Sequence, residues 1–151
     1  MNIQEIYNAA YKAGACTEKG LKMISRANNV NDLIDLMKSP QGIEFCMKNQ
    51  FPSLDLLNEY REQLESNNIY PKGTDKTIIN PRFVIVFGGS ITVQVDDFNV
   101  CEIYATNDSK VIVKASDNAY VSIELHHDSI AETTKSGKSN ILLINKTLVK
   151  K

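Results

Sequence analysis

The chain has 151 residues, enough for one average domain or for a small helical piece joined to a small β piece. Its 17 basic and 18 acidic residues leave a net charge of -1, which excludes a global field that would draw in nucleic acid or a membrane surface. The three cysteines, Cys16, Cys46 and Cys101, stand in no metal-ligand spacing and read as reduced thiols of a cytoplasmic protein.

The N-terminal residues Met1 to Tyr7 contain neither a basic nor an apolar signal-peptide region, so none is expected. Ile3, Ile6, Tyr7 and Ala10 share one face of a first helix, which Gly14 ends. Thr17 is placed to cap a second helix carrying Leu21, Ile24 and Ala27, and a third runs through Val30, Leu33, Ile34 and Met37. Ser39-Pro40 opens a fourth, with serine as the cap and proline in the first turn, presenting Ile43, Phe45, Cys46 and Met47. A fifth starts at Ser53 with Asp55 in its first turn. Its stripe is Leu54, Leu57, Tyr60 and Leu64, and Asn67-Asn68 ends it. Residues 1 to 67 therefore read as a bundle of about five short helices.

Residues 68 to 81, punctuated by Pro71 and Gly73, read as a connection. The period then switches from 3.6 to 2, with Phe83, Ile85 and Phe87 alternating into Gly88-Gly89. The uninterrupted apolar run Phe83 to Phe87 is far too short to span a bilayer.

From Ser90 the chain repeats in tens. The second position of each decad reads Ile91, Cys101, Val111, Val121 and the fourth Val93, Ile103, Val113, Ile123. The sixth reads Val95, Ala105, Ala115, Leu125, so all twelve residues are apolar. At an apolar frequency of 42% chance gives this roughly three times in 10⁵, before allowing for choice of phase. Each decad is one strand with its even positions buried, followed by an Asp/Asn/Ser turn. The pattern frays at Ala131, Thr133 and Lys135, and returns at Ile141 and Leu143.

The fold expected is α+β: helices over 1 to 67, a repetitive β domain over 82 to 147, and a basic tail over 148 to 151. Two architectures obey the decad columns, a β-solenoid and an antiparallel meander, because ten preserves strand parity in both. The solenoid is favoured. The units are equal in length, and the turns use Asp-Asn-Ala or Asn-Asp-Ser, not the Asn-Gly of a tight hairpin.

The run Val111-Ile-Val-Lys-Ala-Ser-Asp-Asn-Ala-Tyr-Val-Ser-Ile-Glu resembles the degenerate valine/alanine/asparagine repeats of short β-solenoids in uncharacterised bacterial and phage families. Gly14-Ala-Cys-Thr-Glu-Lys-Gly-Leu, with Phe45-Cys and Phe51-Pro-Ser-Leu, is similar to the small helical domain preceding such repeats. The resemblance spans about residues 88 to 145 and carries no catalytic residues. It implies a structural or protein-interaction role, accessory or scaffolding, phage- or mobile-element-encoded and then virion-associated if not cytoplasmic. The alternative is a module that binds a nucleotide, metabolite or sugar in a pocket at the helix-to-β junction.

His126-His127 is the whole histidine content. Adjacent strand residues point to opposite faces, so only a bend beside Asp128 would gather His126, His127 and Asp128 into a metal site, and a solvated turn is the stronger reading. The turn residues Asp97, Asn107, Asp117 and His127, with Asp108, Asn118 and Asp128, read as ladders bonding neighbouring turns. Calcium between turns is disfavoured, because the four clear decads hold no glycine. Gly88-Gly89-Ser90 lacks the helix and lysine of a phosphate loop, and Cys16 has no histidine in its half to serve as base. No catalytic constellation assembles, no cofactor is implied, and the protein is read as a non-enzyme.

Charge is segregated along the β half. From Ser90 to Glu132 eight carboxylates stand against Lys110 and Lys114, and beyond Glu132 only lysines occur. No aromatic residue interleaves with those lysines, so nucleic acid is not an expected partner. The last strand, Asn140 to Asn145, is apolar at Ile141, Leu142, Leu143 and Ile144 in succession. Period-2 geometry hides half of them, leaving Leu142 and Ile144 outward together with Ile112 and Ile130. These four are the expected interface, and the partner is a second copy or another protein in an assembly.

Overall fold

The computed structural model describes Asn8 and residues 29 to 52 and 54 to 146. The chain divides into two compact units, Met1–Gln63 and Leu64–Lys151.

Four helices are described: α1 (Val30–Lys38), α2 (Pro40–Asn49), α3 (Leu54–Glu59) and α4 (Arg61–Glu65). The first two expected helices lie outside the described residues, save for Asn8, which is helical. Asn29 caps α1, its Oδ1 accepting the Asp32 N–H at 3.0 Å. Ser39 ends α1, and its hydroxyl caps α2 by accepting the Gly42 N–H at 3.1 Å. Glycine is required there, since a Cβ on Gly42 would lie 1.8 Å from the Leu36 carbonyl oxygen. Leu33 and Ile34 of α1, with Ile43, Cys46 and Met47 of α2, are buried, as a period of 3.6 demands.

The count of about five helices is not matched. The last helix expected, from Ser53 onward, is two short ones interrupted at Tyr60. Leu57 and Leu64 are both buried, and their seven-residue spacing is the same whether the helix between them is continuous or broken. Periodicity is blind to such an interruption.

The β unit is a short parallel solenoid, as favoured over the meander. Its strands are β1 (Ile69–Tyr70), β2 (Asp75–Ile79), β3 (Phe83–Phe87), β4 (Ser90–Val95), β5 (Val100–Thr106), β6 (Lys110–Ala115), β7 (Tyr120–Leu125), β8 (Ile130–Lys135) and β9 (Asn140–Asn145). Odd strands form one five-stranded sheet and even strands one four-stranded sheet, every pairing parallel. Two decads make one coil. Ser90 therefore lies beside Lys110, and Val100 beside Tyr120. Successive decads face each other across the core, and stacking joins alternate ones.

All twelve even-position residues are buried between the sheets. At about 1.5–3 kcal/mol for each fully buried aliphatic side chain, this interior is the main stabilising term of the unit. The segment read as a connection, 68 to 81, supplies β1 and β2, hence the first coil. In β3 the inward pair is Val84 and Val86, which stand beside Ile103 and Ala105. Phe83, Ile85 and Phe87, which had carried the alternation, take the opposite parity, and Ile85 and Phe87 are buried as well. A strand covered on both faces reads as a continuous apolar run, which hides its parity.

The corners differ between the two edges of the solenoid. On one edge a single residue per turn is left-handed: Asp97 (φ 55), Asp117 (φ 57) and Gly137 (φ 63). On the other, two successive residues are: Asn107 and Asp108 (φ 60 and 58), then His127 and Asp128 (φ 49 and 63). Asn, Asp and Gly tolerate this region, which is why they mark the turns. Of the side-chain ladders expected from them, one rung is seen, between Asp97 and Asp117, and Asn80 and Asp96 form a further pair outside the expected set. Asp97 N–H donates to the Asp117 carboxylate at 3.0 Å, and the Asn80 side chain makes two bonds of 2.9 Å with Asp96.

Candidate functional site

The last coil is unlike the others. Its inward positions are Ala131, Thr133 and Lys135 on β8 and Ile141 and Leu143 on β9, and no strand is stacked beyond them among the described residues. Leu143 is therefore 47% exposed, although its parity is that of the core. Leu142 and Ile144, on the outer face, are 48% and 42% exposed, so three consecutive aliphatic residues of one edge strand meet solvent. An open strand edge with exposed apolar residues is a template for pairing. On β8 the same rung carries Thr133 and an inward lysine, the kind of polar edge that resists pairing. The two sheets thus end differently, one on a polar strand and one on an apolar strand.

The four residues expected to form one interface are divided between two faces. Ile112 and Ile130 lie on the outer face of the four-stranded sheet, Ile112 half-buried beside Glu132 and Ile130 exposed beside Lys110. Leu142 and Ile144 lie on the outer face of the five-stranded sheet, beside Ser122 and Glu124. Leu143, which sequence parity had placed inside, joins them at the end because no further strand is stacked on its rung among the described residues.

A polar cluster borders this end. Glu124 Oε1 receives the Lys146 ammonium and lies 3.6 Å from His126 Nε2. Burial pulls the His126 ring below its ordinary pKa. Glu124 opposes that pull, and Lys146 and His127 reinforce it. The sequence signal for the cluster is the spacing of twenty between His126 and Lys146, with Glu124 two residues before His126 on the same face. Rows of ten separate them, which is why the reading by decads missed it.

His126 and His127 have ring centroids 6.3 Å apart. Among the described residues no three His, Cys, Asp or Glu side chains gather as a metal site. Asp128 is an exposed, left-handed corner residue. Cys46 and Cys101 are buried thiols pushed up to about 12, by desolvation in both cases and by Glu102 in the second, so neither is a thiolate at neutral pH. Cys16 lies outside the described residues. No helix among the described residues is long and apolar enough to cross a membrane.

The neutral His126 ring is the form the fold favours. Its contribution to stability is complete above the unfolded value of about 6.5 and declines as the pH falls below it. Thermal melts between about pH 7.5 and about pH 5 are expected to show a larger loss of midpoint in the native chain than in a His126→Gln variant. Equal losses in the two would show that His126 does not couple protonation to folding.

The fold defines the class: a short, two-sheeted parallel β-solenoid whose last strands, β8 and β9, have no further strand stacked on them among the described residues. No protein-family model matches the chain, and no curated protein or solved structure matches it.

Proposed function

We propose that this chain is a non-enzymatic structural or interaction protein, accessory or scaffolding in role, that works through the C-terminal end of its solenoid. The setting that accords with its resemblance is a phage or mobile element, in the cytoplasm or on a virion. The observation that carries the reading is the run Leu142-Leu143-Ile144, exposed on an edge strand where side chains contribute little to the fold's own core. Apolar surface of that kind is costly in water and is explained when a partner covers it.

Two thermal-denaturation measurements test this. A Leu142→Lys/Ile144→Lys variant is expected to keep the native midpoint, because both side chains point away from the interior. A screen of nucleotides, sugars and common metabolites is expected to leave the midpoint unmoved. A metabolite that raised it by several degrees through binding linkage would replace this reading with small-ligand recognition. A double variant that lost several degrees would show that the aliphatic run serves the fold instead of a partner.

A further inference from the structure

We infer that the partner at this end is a second copy of the chain, joined to the first by antiparallel pairing of β9 with itself about a two-fold axis through Leu143. The inference rests on the interaction reading above and names its partner. Its first ground is the backbone. The Asn140 N–H donates to the Ala119 carbonyl of the preceding rung at 2.9 Å. Alternation along a ladder then turns the even residues of β9 toward β7 and the N–H and C=O groups of Ile141 and Leu143 toward the open side. A two-fold perpendicular to the sheet places Leu143 opposite Leu143 of the second copy, the two exchanging both hydrogen bonds, with Ile141 opposite Asn145.

The second ground is side-chain and charge matching in that register. Leu142 falls opposite Ile144 of the second copy on the outer face, and the symmetric pair repeats the contact. Asn140 falls opposite Lys146. The neighbouring symmetric register, with its axis through Leu142, sets Lys138 opposite Lys146 and Asn140 opposite Ile144. Both are unfavourable pairings. Registers that shift by one residue between these two are excluded, because they oppose an inward with an outward residue and no closed two-fold exists for them.

The third ground is the odd strand number of the sheet that β9 ends. β9 follows β8 in the coil and stands half a rung beyond it. When two β9 strands pair at about 4.8 Å, the two β8 edges remain about 10 Å apart. Lys135 and Thr133 then line a slot open to water and are not driven into an apolar contact. The contact is made by one strand about 20 Å long and buries roughly 700 Å² in total, below the size of a stable interface. The dimer is accordingly a weak, reversible one.

Sedimentation equilibrium of the full chain from about 5 to about 500 μM tests the proposal. The expected result is a reversible monomer–dimer equilibrium in this range. Leu142→Lys/Ile144→Lys is expected to weaken it at least about tenfold by setting lysines opposite each other. Ile130→Lys and Phe98→Lys, at apolar sites elsewhere that are more exposed still, are expected to leave it unchanged. In a Cys16→Ser background, oxidised Leu143→Cys is expected to crosslink to itself, since paired Cα atoms in a hydrogen-bonded antiparallel pair lie about 5.5 Å apart. Leu142→Cys is expected not to. A monomer at every concentration, an association as sensitive to Ile130→Lys as to the double variant, or crosslinking at position 142 in preference to 143 would overturn the proposal. A monomer that still met both thermal expectations above would leave the interaction reading standing with a different partner.

Discussion

Replacing Ile103 with aspartate is expected to abolish the cooperative unfolding transition of the β unit. Ile103 is 1% exposed and sits in the middle of β5, with Val84 beside it on one side and Ile123 on the other. The substitution removes about 3 kcal/mol of apolar burial. It also places a carboxyl where the interior offers only aliphatic neighbours, and that group stays neutral or unpaired at a further cost of several kcal/mol. The sum exceeds about 5 kcal/mol, which is comparable to the whole stability of an ordinary domain. Ile130→Asp is the matched control. The same chemical change on an outward, 55% exposed position is expected to cost less than about 1 kcal/mol. Urea unfolding followed by far-UV circular dichroism distinguishes them. Similar midpoints for the two variants would refute the assignment of inner and outer columns.

That assignment was the most legible part of the sequence, and the reason is geometric. A strand's period of 2 divides both ten and twenty, so the even columns stay inward whichever repeat length builds the coil. The same arithmetic conceals the coil itself. Nothing in Ser90 to Leu125 distinguishes a decad stacked on the next decad from one stacked on the second, and only the ladder Ser90 to Lys110 settles it. The helical caps were equally readable at Ser39-Pro40, where a local side-chain bond decides the boundary. The first coil was not. In β2 four of five residues are exposed, and only Ile78, half-buried, packs on the core, so the strand shows no alternation to detect.

At the candidate end, parity correctly turned Leu142 and Ile144 outward and failed for Leu143. Burial of an inward residue requires a following rung, and a column pattern contains no information on where stacking stops. Ile112 and Ile130 lie on the other sheet from Leu142 and Ile144, which the columns could not show. Successive decads belong to opposite sheets, so equal parity in neighbouring decads means opposite faces of the molecule.

The tenth column shows the other kind of failure, and it carries the second large effect. Ser109, Ser129 and Ser139 belong to turns rich in Asp and Asn, and the column pattern says nothing of their burial, yet all three are buried, with Ala119 among them. On one edge they form a ladder. The Gly88 N–H donates to Ser109 Oγ at 2.6 Å, the Ser109 hydroxyl donates to the Thr106 carbonyl at 2.6 Å, and the Ser109 N–H donates to Ser129 Oγ at 3.1 Å. The small side chain lets the corner close, and its oxygen accepts from a backbone donor: the Gly88 N–H, which also reaches the Thr106 carbonyl, in one rung and the Ser109 N–H in the next. Ser129→Val replaces the hydroxyl by two methyl groups and so leaves the Ser109 N–H without its acceptor in a buried site, at about 1–3 kcal/mol. Its second branch must also enter a corner with no room to yield, at about 1–3 kcal/mol more. A total loss of about 2–6 kcal/mol is expected, whereas Ser129→Ala, which forfeits the bond and adds no bulk, is expected to fall about 1–2 kcal/mol below the native chain. Urea titrations of the three proteins measure the difference. A Ser129→Val chain within about 0.5 kcal/mol of native stability would mean that water or a shifted backbone serves the Ser109 N–H, and that the tenth column is a tolerant surface turn after all.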